Sequence, residues 1–76
     1  MSNISYSIAA GFALKHLIRE HYASQQEFAE DFGVELRTVT RYVTTGIGKM
    51  MTVEEIADFF EMDLLDFLRL GKQMAE

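Results

Sequence analysis

Residues 24–34 read SQQEFAEDFGV, and this stretch predicts a short helix that ends in a tight turn. Ser24 and Glu27 form a capping box, in which the serine hydroxyl accepts from the amide three residues later and the glutamate reaches back. Gly33 stands where a left-handed residue is needed, a conformation that glycine adopts without steric cost. The inward face of this helix would carry Phe28, Ala29 and Phe32.

Two further helices are predicted around this stretch. From about Ser7 to Tyr22, apolar residues recur at the three-and-four spacing of one helical face, at Ala10, Leu14, Leu17, Ile18 and Tyr22. From Leu36 to Thr44 the same spacing places Val39, Tyr42 and Val43 inward. A strand is the alternative for residues 38–43 because they are rich in β-branched side chains, but no partner strand is evident, so helix is favoured.

The C-terminal part of the chain predicts a fourth and a fifth helix. Thr52 and Glu55 form a second capping box, which would open the fourth helix after a loop over residues 44–51. The fifth begins near Asp63, where acidic side chains favour a helix N-terminus. Their inward residues would be Val53, Ile56, Ala57 and Phe60, then Leu64, Phe67 and Leu68. The predicted fold class is therefore all-α with five helices.

Length and composition limit the remaining possibilities. Seventy-six residues suit one domain, and 49% apolar with 25% charged residues is an ordinary globular composition. The chain has no cysteine, which excludes disulfides and thiolate metal sites and fits a reducing compartment. No stretch reaches the roughly 18 apolar residues of a membrane span, and the N-terminus does not resemble a signal peptide. We therefore expect a soluble, cytoplasmic protein.

Charge is unevenly distributed along the chain. Seven Lys and Arg stand against twelve Asp and Glu, a net charge of −5 that argues against indiscriminate binding to nucleic acid or anionic membrane. Residues 33–52 nevertheless carry three bases and one acid, hence +2, whereas residues 53–68 carry six acids and no base. A local basic face is therefore expected around the third helix.

The second and third helices would form a corner whose second helix projects polar and basic side chains, the architecture that enters a DNA major groove. Residues 14–68 resemble the lambda-repressor-like (Cro/CI, XRE-like) helix-turn-helix family. The resemblance rests on residues 14–17 (LKHL), residues 24–34, Thr38-Val39, Gly46, residues 53–57 (VEEIA) and residues 62–64 (MDL). Residues 1–10 would form an N-terminal arm and residues 70–76 a C-terminal tail.

The resemblance implies a sequence-specific, double-stranded DNA-binding domain of a bacterial or phage transcriptional regulator, expected to be a repressor that acts as a homodimer on a palindromic operator. Gln25 matches the family position that contacts the DNA backbone. Leu36, Arg37 and Arg41 match positions that read bases. Thr40 and Thr44 would make phosphate or base contacts, and the loop residue Lys49 would contact a phosphate. The resemblance implies no enzymatic activity, no cofactor, no metal and no small-molecule ligand.

The sequence departs from the family pattern at several positions. Ile18 and Val43 stand where many members have an arginine and a glutamate that form an ion pair. Because both partners are replaced by apolar residues, no buried charge is left unpaired and the fold is preserved. Glu35 replaces the preferred capping serine or threonine and would lie close to DNA phosphates. The loop after the third helix is longer than usual and carries one cation. A protein-interaction module that has lost DNA binding is therefore the alternative.

Other residues receive simpler interpretations. His16 and His21 are five residues apart, so they diverge on their helix and do not form a metal pair. Most aromatic residues, Phe12, Phe28, Phe32, Tyr42, Phe60 and Phe67, are expected in the core. A second group of apolar residues lies outside the helix faces that are predicted to point into the core. Such a group predicts a surface for self-association or for a partner. Its members are Met50, Met51, Phe59, Leu65, Leu70 and Met74.

Overall fold

The computed structural model describes residues 5–75 and contains, in that range, five α-helices and no strand. The helices are α1 (Tyr6–His21), α2 (Gln25–Phe32), α3 (Leu36–Thr45), α4 (Met50–Phe59) and α5 (Leu64–Ala75). The all-α, five-helix prediction is confirmed for these residues, and residues 38–43 are helical. No helix of the described range has both the length and the apolar composition that crossing a membrane requires.

The boundaries of α2 agree with the sequence prediction. Ser24 Oγ accepts from the Glu27 amide at 3.2 Å, and Glu27 Oε1 accepts from the Ala23 amide at 3.1 Å. Gly33 ends the helix with φ at 92°, and its amide donates to the Ala29 carbonyl at 2.9 Å. Because α3 begins three residues later at Leu36, the two helices are joined by a tight turn.

The predicted start of α4 is wrong. The capping box at Thr52 and Glu55 does not form the helix end. Instead α4 begins at Met50, with Lys49 as its N-cap residue and no side-chain hydrogen bond to its first amides. The connecting loop is therefore residues 46–49, shorter than the predicted 44–51.

Tertiary contacts explain this early start. Ile47 is buried with 1% of its surface exposed, and its amide donates to the Ser7 carbonyl at 2.9 Å. The Tyr6 hydroxyl donates to the Gly48 carbonyl at 2.7 Å. These bonds hold the loop against the first turn of α1, so the chain is already positioned for a helix when it reaches Lys49.

The segments predicted as an arm and a tail are largely helical. Ser5 caps α1, its Oγ accepting from the Ile8 amide at 3.4 Å, so residues 6–10 belong to that helix. The helix α5 continues through Leu70 to Ala75. Residues 1–4 and Glu76 lie outside the described range.

One hydrophobic core lies between the helices, and each contributes buried or half-buried apolar side chains to it. The predicted inward residues all belong to this core or pack against it. Phe12 is an exception among the predicted core aromatics, with 36% of its surface exposed. It lies two positions from Leu14, about half a turn around α1, and therefore points away from the buried stripe. Leu70, predicted outside the core, is half-buried against it.

A very close backbone contact joins α1 and α5. A Cβ atom at Gly71 would overlap the Ala9 carbonyl oxygen and lie 2.5 Å from the Ala9 carbonyl carbon. Gly71 is buried in the middle of α5, so the absence of a side chain allows the two backbones to touch. Ala9, Ala10 and Ala13 are completely buried on the facing helix.

A hydrogen bond between side chains joins the end of α1 to α2. The Tyr22 hydroxyl donates to Asp31 Oδ2 at 2.6 Å. Burial, this hydrogen bond and the nearby negative charge raise the pKa of Tyr22 from 10.0 to about 12. All three causes favour the protonated phenol.

The raised pKa makes stability depend on alkaline pH. Because the folded protein holds this proton more tightly than the unfolded chain, the contribution is fully present below pH 10.0 and is lost as pH rises through about 12. We expect the stability difference between wild type and Tyr22→Phe to shrink from pH 10 to 12. Urea denaturation of both proteins at several pH values measures it, and a constant difference would contradict the assignment.

Candidate nucleic-acid interface

The helix α3 presents a polar and basic face to solvent. Val39 is completely buried against the core, and this fixes the orientation of the helix. Leu36 at the start of α3 is 42% exposed, and the Arg37 side chain is 89% exposed. The exposed positions of this helix include four predicted contact residues, Arg37, Thr40, Arg41 and Thr44.

Gln25 and Thr40 lie together, as a shared contact surface requires. The Thr40 hydroxyl donates to Gln25 Oε1 at 3.2 Å and so connects the first residue of α2 to the middle of α3. With Oε1 turned towards Thr40, the Gln25 Nε2 group is the one available to donate outward. The structure therefore brings the predicted backbone-contacting glutamine beside the exposed face of α3.

Arg37 has an acidic neighbour. Its Nε donates to Glu35 Oε1 at 3.3 Å, and both side chains are largely exposed. Glu35 occupies the N-cap position of α3 but makes no capping hydrogen bond. The carboxylate thus neutralises part of the basic face and leaves the first amides of α3 without a side-chain partner.

The threonines near the end of α3 bond to their own helix. Thr44 Oγ1 donates to the Thr40 carbonyl at 2.8 Å, and Thr45 Oγ1 donates to the Arg41 carbonyl at 2.8 Å. Such bonds to the preceding turn satisfy the hydroxyl within the helix. A phosphate contact by Thr44 as a donor would require this hydroxyl to rotate away from Thr40.

Arg41 and Lys49 line one depression. It has a volume of about 220 Å³, and its other lining residues are Tyr42, Gly46, Ile47, Gly48 and Thr52. The Arg41 guanidinium carbon lies 5.9 Å from the centre of the Tyr42 ring. Since α4 begins at the adjacent Met50 without a side-chain cap, two cations and the positive end of a helix dipole adjoin the same depression.

The sequence reasoning missed three residues that shape this region. Tyr6 and Ile47 hold the loop that carries Lys49, and Thr52 lines the depression instead of capping α4. The sequence contains one signal for Ile47, because a single large aliphatic residue between two glycines is a candidate loop anchor. Nothing local distinguishes Tyr6.

The predicted partner surface is not one continuous set. Leu65 is 62% exposed and Met74 is 42% exposed, both on α5, whereas Met51 is 72% exposed near the start of α4. Leu65 lines a depression with Tyr6, Met74 lines another with Phe12, and Phe59 lines a third with His21. These residues therefore border three different parts of the surface.

Within residues 5–75, no group of three or more acidic or histidine side chains is placed to hold a metal ion. His16 Nε2 lies 3.3 Å from Glu20 Oε1, one turn along α1. Comparison with protein-family models, with curated proteins and with solved structures found no match for this chain.

Proposed function

We propose that the chain is a sequence-specific double-stranded DNA-binding domain of a transcriptional regulator, in which α2 and α3 act as a lambda-repressor-like helix-turn-helix. The observation that carries this proposal is the face of α3, where Arg37 and Arg41 are exposed while Val39 anchors the helix from behind. Arginine side chains on such a face can form bidentate bonds with guanine O6 and N7. Leu36 supplies an apolar contact for a thymine methyl.

Phosphate contacts would come from both sides of α3. Gln25 Nε2 at the start of α2 meets one backbone strand, and Lys49 with the first amides of α4 meets a phosphate near Arg41. Helix N-termini bind phosphate because their amide groups lack intrahelical partners. These contacts fix the register of the domain, and the base contacts of α3 select the sequence.

The proposed assembly is a homodimer that acts as a repressor by occupying an operator. Two copies of α3 would enter successive major grooves about 34 Å apart, so the operator is roughly palindromic. Leu65, which is 62% exposed, supplies apolar area on α5 for a contact between copies. Sedimentation velocity with and without operator DNA tests this assembly.

Selection of binding sites from random duplexes tests the proposed function. The expected result is an enriched, roughly palindromic sequence with guanines at the positions read by Arg37 and Arg41. The absence of any enriched sequence after repeated rounds at low ionic strength would contradict sequence-specific binding.

The second candidate function is a protein-interaction module without DNA binding. The net charge of −5 and the carboxylate of Glu35 beside Arg37 favour it. Measuring DNA affinity at several salt concentrations distinguishes the two candidates. The affinity of a DNA-binding protein falls more steeply with salt concentration the more phosphates it neutralises. DNA binding that weakens steeply with salt supports the proposal, whereas no binding at low salt supports the interaction module.

Replacing Glu35 by serine is expected to tighten DNA binding and stabilise the fold. Serine is a good N-cap residue, and gaining that bond stabilises by about 1 kcal/mol. The change also removes the carboxylate beside Arg37 and its repulsion from phosphates. Fluorescence anisotropy compares Glu35→Ser with Asp58→Ser, which removes an exposed acid near the end of α4. Equal effects on affinity would show that only net charge matters.

A further inference from the structure

An open groove of about 420 Å³ lies away from α3, between the ends of three other helices. It is lined by His21, Tyr22, Asp31, Phe59, Phe60 and Glu61. His21 ends α1, Asp31 is the penultimate residue of α2, and Phe59 ends α4. Three helix C-termini therefore converge on one groove. The last carbonyl groups of each helix have no hydrogen-bond partner within that helix. Each helix end also brings the negative end of its dipole to the groove.

Two of the three helix ends at the groove have negative side chains where a helix end normally favours positive ones, whereas α1 ends with Arg19 and His21. Neither α2 nor α4 has a basic residue in its last turn. Asp31 and Glu61 stand at these ends instead, and neither forms a salt bridge within residues 5–75. The carboxylates and the dipoles repel each other. A cation in the groove would relieve this repulsion.

Aromatic rings form the apolar part of the groove and are held in place by the core. Phe60 stacks on the completely buried Phe28 with ring centres 5.6 Å apart, and Phe59 meets the edge of Phe28 at 5.7 Å. Phe59 remains 37% exposed. The His21 ring lies 5.9 Å from that of Phe60. Because the core already holds these rings in place, they can contact a cationic group without losing further conformational freedom.

Two carboxylates adjoin these rings, one held by a hydrogen bond and the other attached to a defined backbone turn. Asp31 is held by the Tyr22 hydroxyl at 2.6 Å. Glu61 follows the end of α4 and has a φ of 57°. The backbone turn that contains it is closed by a hydrogen bond from the Met62 amide to the Ala57 carbonyl at 2.8 Å. No lysine or arginine is among the lining residues.

We propose that this groove binds an arginine side chain presented by a basic segment of a partner protein. A guanidinium is planar, stacks on aromatic faces and bonds to carboxylates in a fork geometry, so it matches all three features of the groove. The groove lies at the C-terminal ends of α2 and α4, whereas Gln25 and Lys49 stand at their N-terminal ends. The partner therefore occupies a different surface from the DNA and does not depend on DNA binding.

Titration of ¹⁵N-labelled protein with the tripeptide Ac-Gly-Arg-Gly-NH₂ tests the proposal. The expected result is saturable movement of the amide resonances of Tyr22, Asp31, Phe60 and Glu61, with millimolar affinity. The control peptide carries citrulline, which has nearly the shape of arginine but no charge, and should bind at least tenfold more weakly. Equal responses to both peptides, or no saturable response, would overturn the proposal.

Paired variants separate the groove from the general negative charge of the protein. Asp31→Asn with Glu61→Gln should weaken arginine-peptide binding at least tenfold and leave the circular dichroism spectrum that of a folded protein, because the amide oxygen introduced at position 31 can still accept from the Tyr22 hydroxyl. Glu54→Gln with Glu55→Gln removes the same charge from exposed positions nearer the start of α4 and should change binding less than twofold. Equal weakening by both pairs would contradict a defined site. Movement of the groove resonances with protein concentration alone would assign the groove to a second copy of this chain.

Discussion

Replacing Gly71 by alanine is expected to destabilise the protein by about 3 kcal/mol or more, at the upper end of the range for overpacking. Helix propensity alone predicts the opposite sign, a gain of about 1 kcal/mol, because glycine disfavours a helix interior. The contact with α1 decides between these effects. The new Cβ would overlap backbone atoms of Ala9, and no rotamer change can relieve an overlap with backbone. The two helices must move apart.

This loss is large for so small a protein. At about 0.05–0.15 kcal/mol per residue, a chain of this length has a total stability of about 4–11 kcal/mol. Urea denaturation followed by circular dichroism measures the change. Gly48→Ala is the matched control, because a Cβ at that position has no neighbour within 4 Å, and it should leave stability nearly unchanged. A stabilised Gly71→Ala protein would mean that α1 and α5 do not touch as described.

The double variant Arg37→Ala with Arg41→Ala is expected to bind a selected operator about 30-fold to 10⁴-fold more weakly than wild type. Each lost bidentate base contact costs about 1–3 kcal/mol, and the two add if they are independent. The fold should persist, since both side chains are exposed and neither contributes to the core. Fluorescence anisotropy with labelled operator measures the loss.

A second double variant controls for the lost positive charge. Arg19→Ala with Arg69→Ala removes two exposed arginines from α1 and α5 and should weaken binding only a few-fold. A fall of the same size in both double variants would show that charge, and not the face of α3, determines affinity. Unfolded R37A/R41A protein would contradict the placement of these side chains.

Local chemistry was sufficient to predict the fold class and the short turn between α2 and α3. The capping box of Ser24 and Glu27 and the left-handed Gly33 act within four residues, so the sequence alone indicated them correctly. The exposed face of α3 followed from the helical period, because the position of Val39 in the core determines which residues point outward.

The features that the sequence did not reveal depend on distant contacts. The start of α4 follows from the bonds that Ile47 and Gly48 of the loop make with Ser7 and Tyr6 of α1. No capping residue near Met50 predicts this start. The contact between Gly71 and Ala9 joins small residues far apart in the chain, and hydropathy does not mark it. The groove lined by His21, Asp31 and Phe59 is likewise assembled from three helix ends that are far apart in the sequence.

Mapping the DNA-binding surface by NMR tests most directly whether α3 enters the major groove. ¹⁵N-labelled protein is titrated with a selected operator duplex, and the amide resonances are followed residue by residue. If α2 and α3 bind DNA as proposed, the largest changes fall on Gln25, on residues 36–45 and on Lys49, with small changes on the outward side of α5. Changes confined to α1 and α5, or no changes with any duplex at low salt, would contradict the proposal.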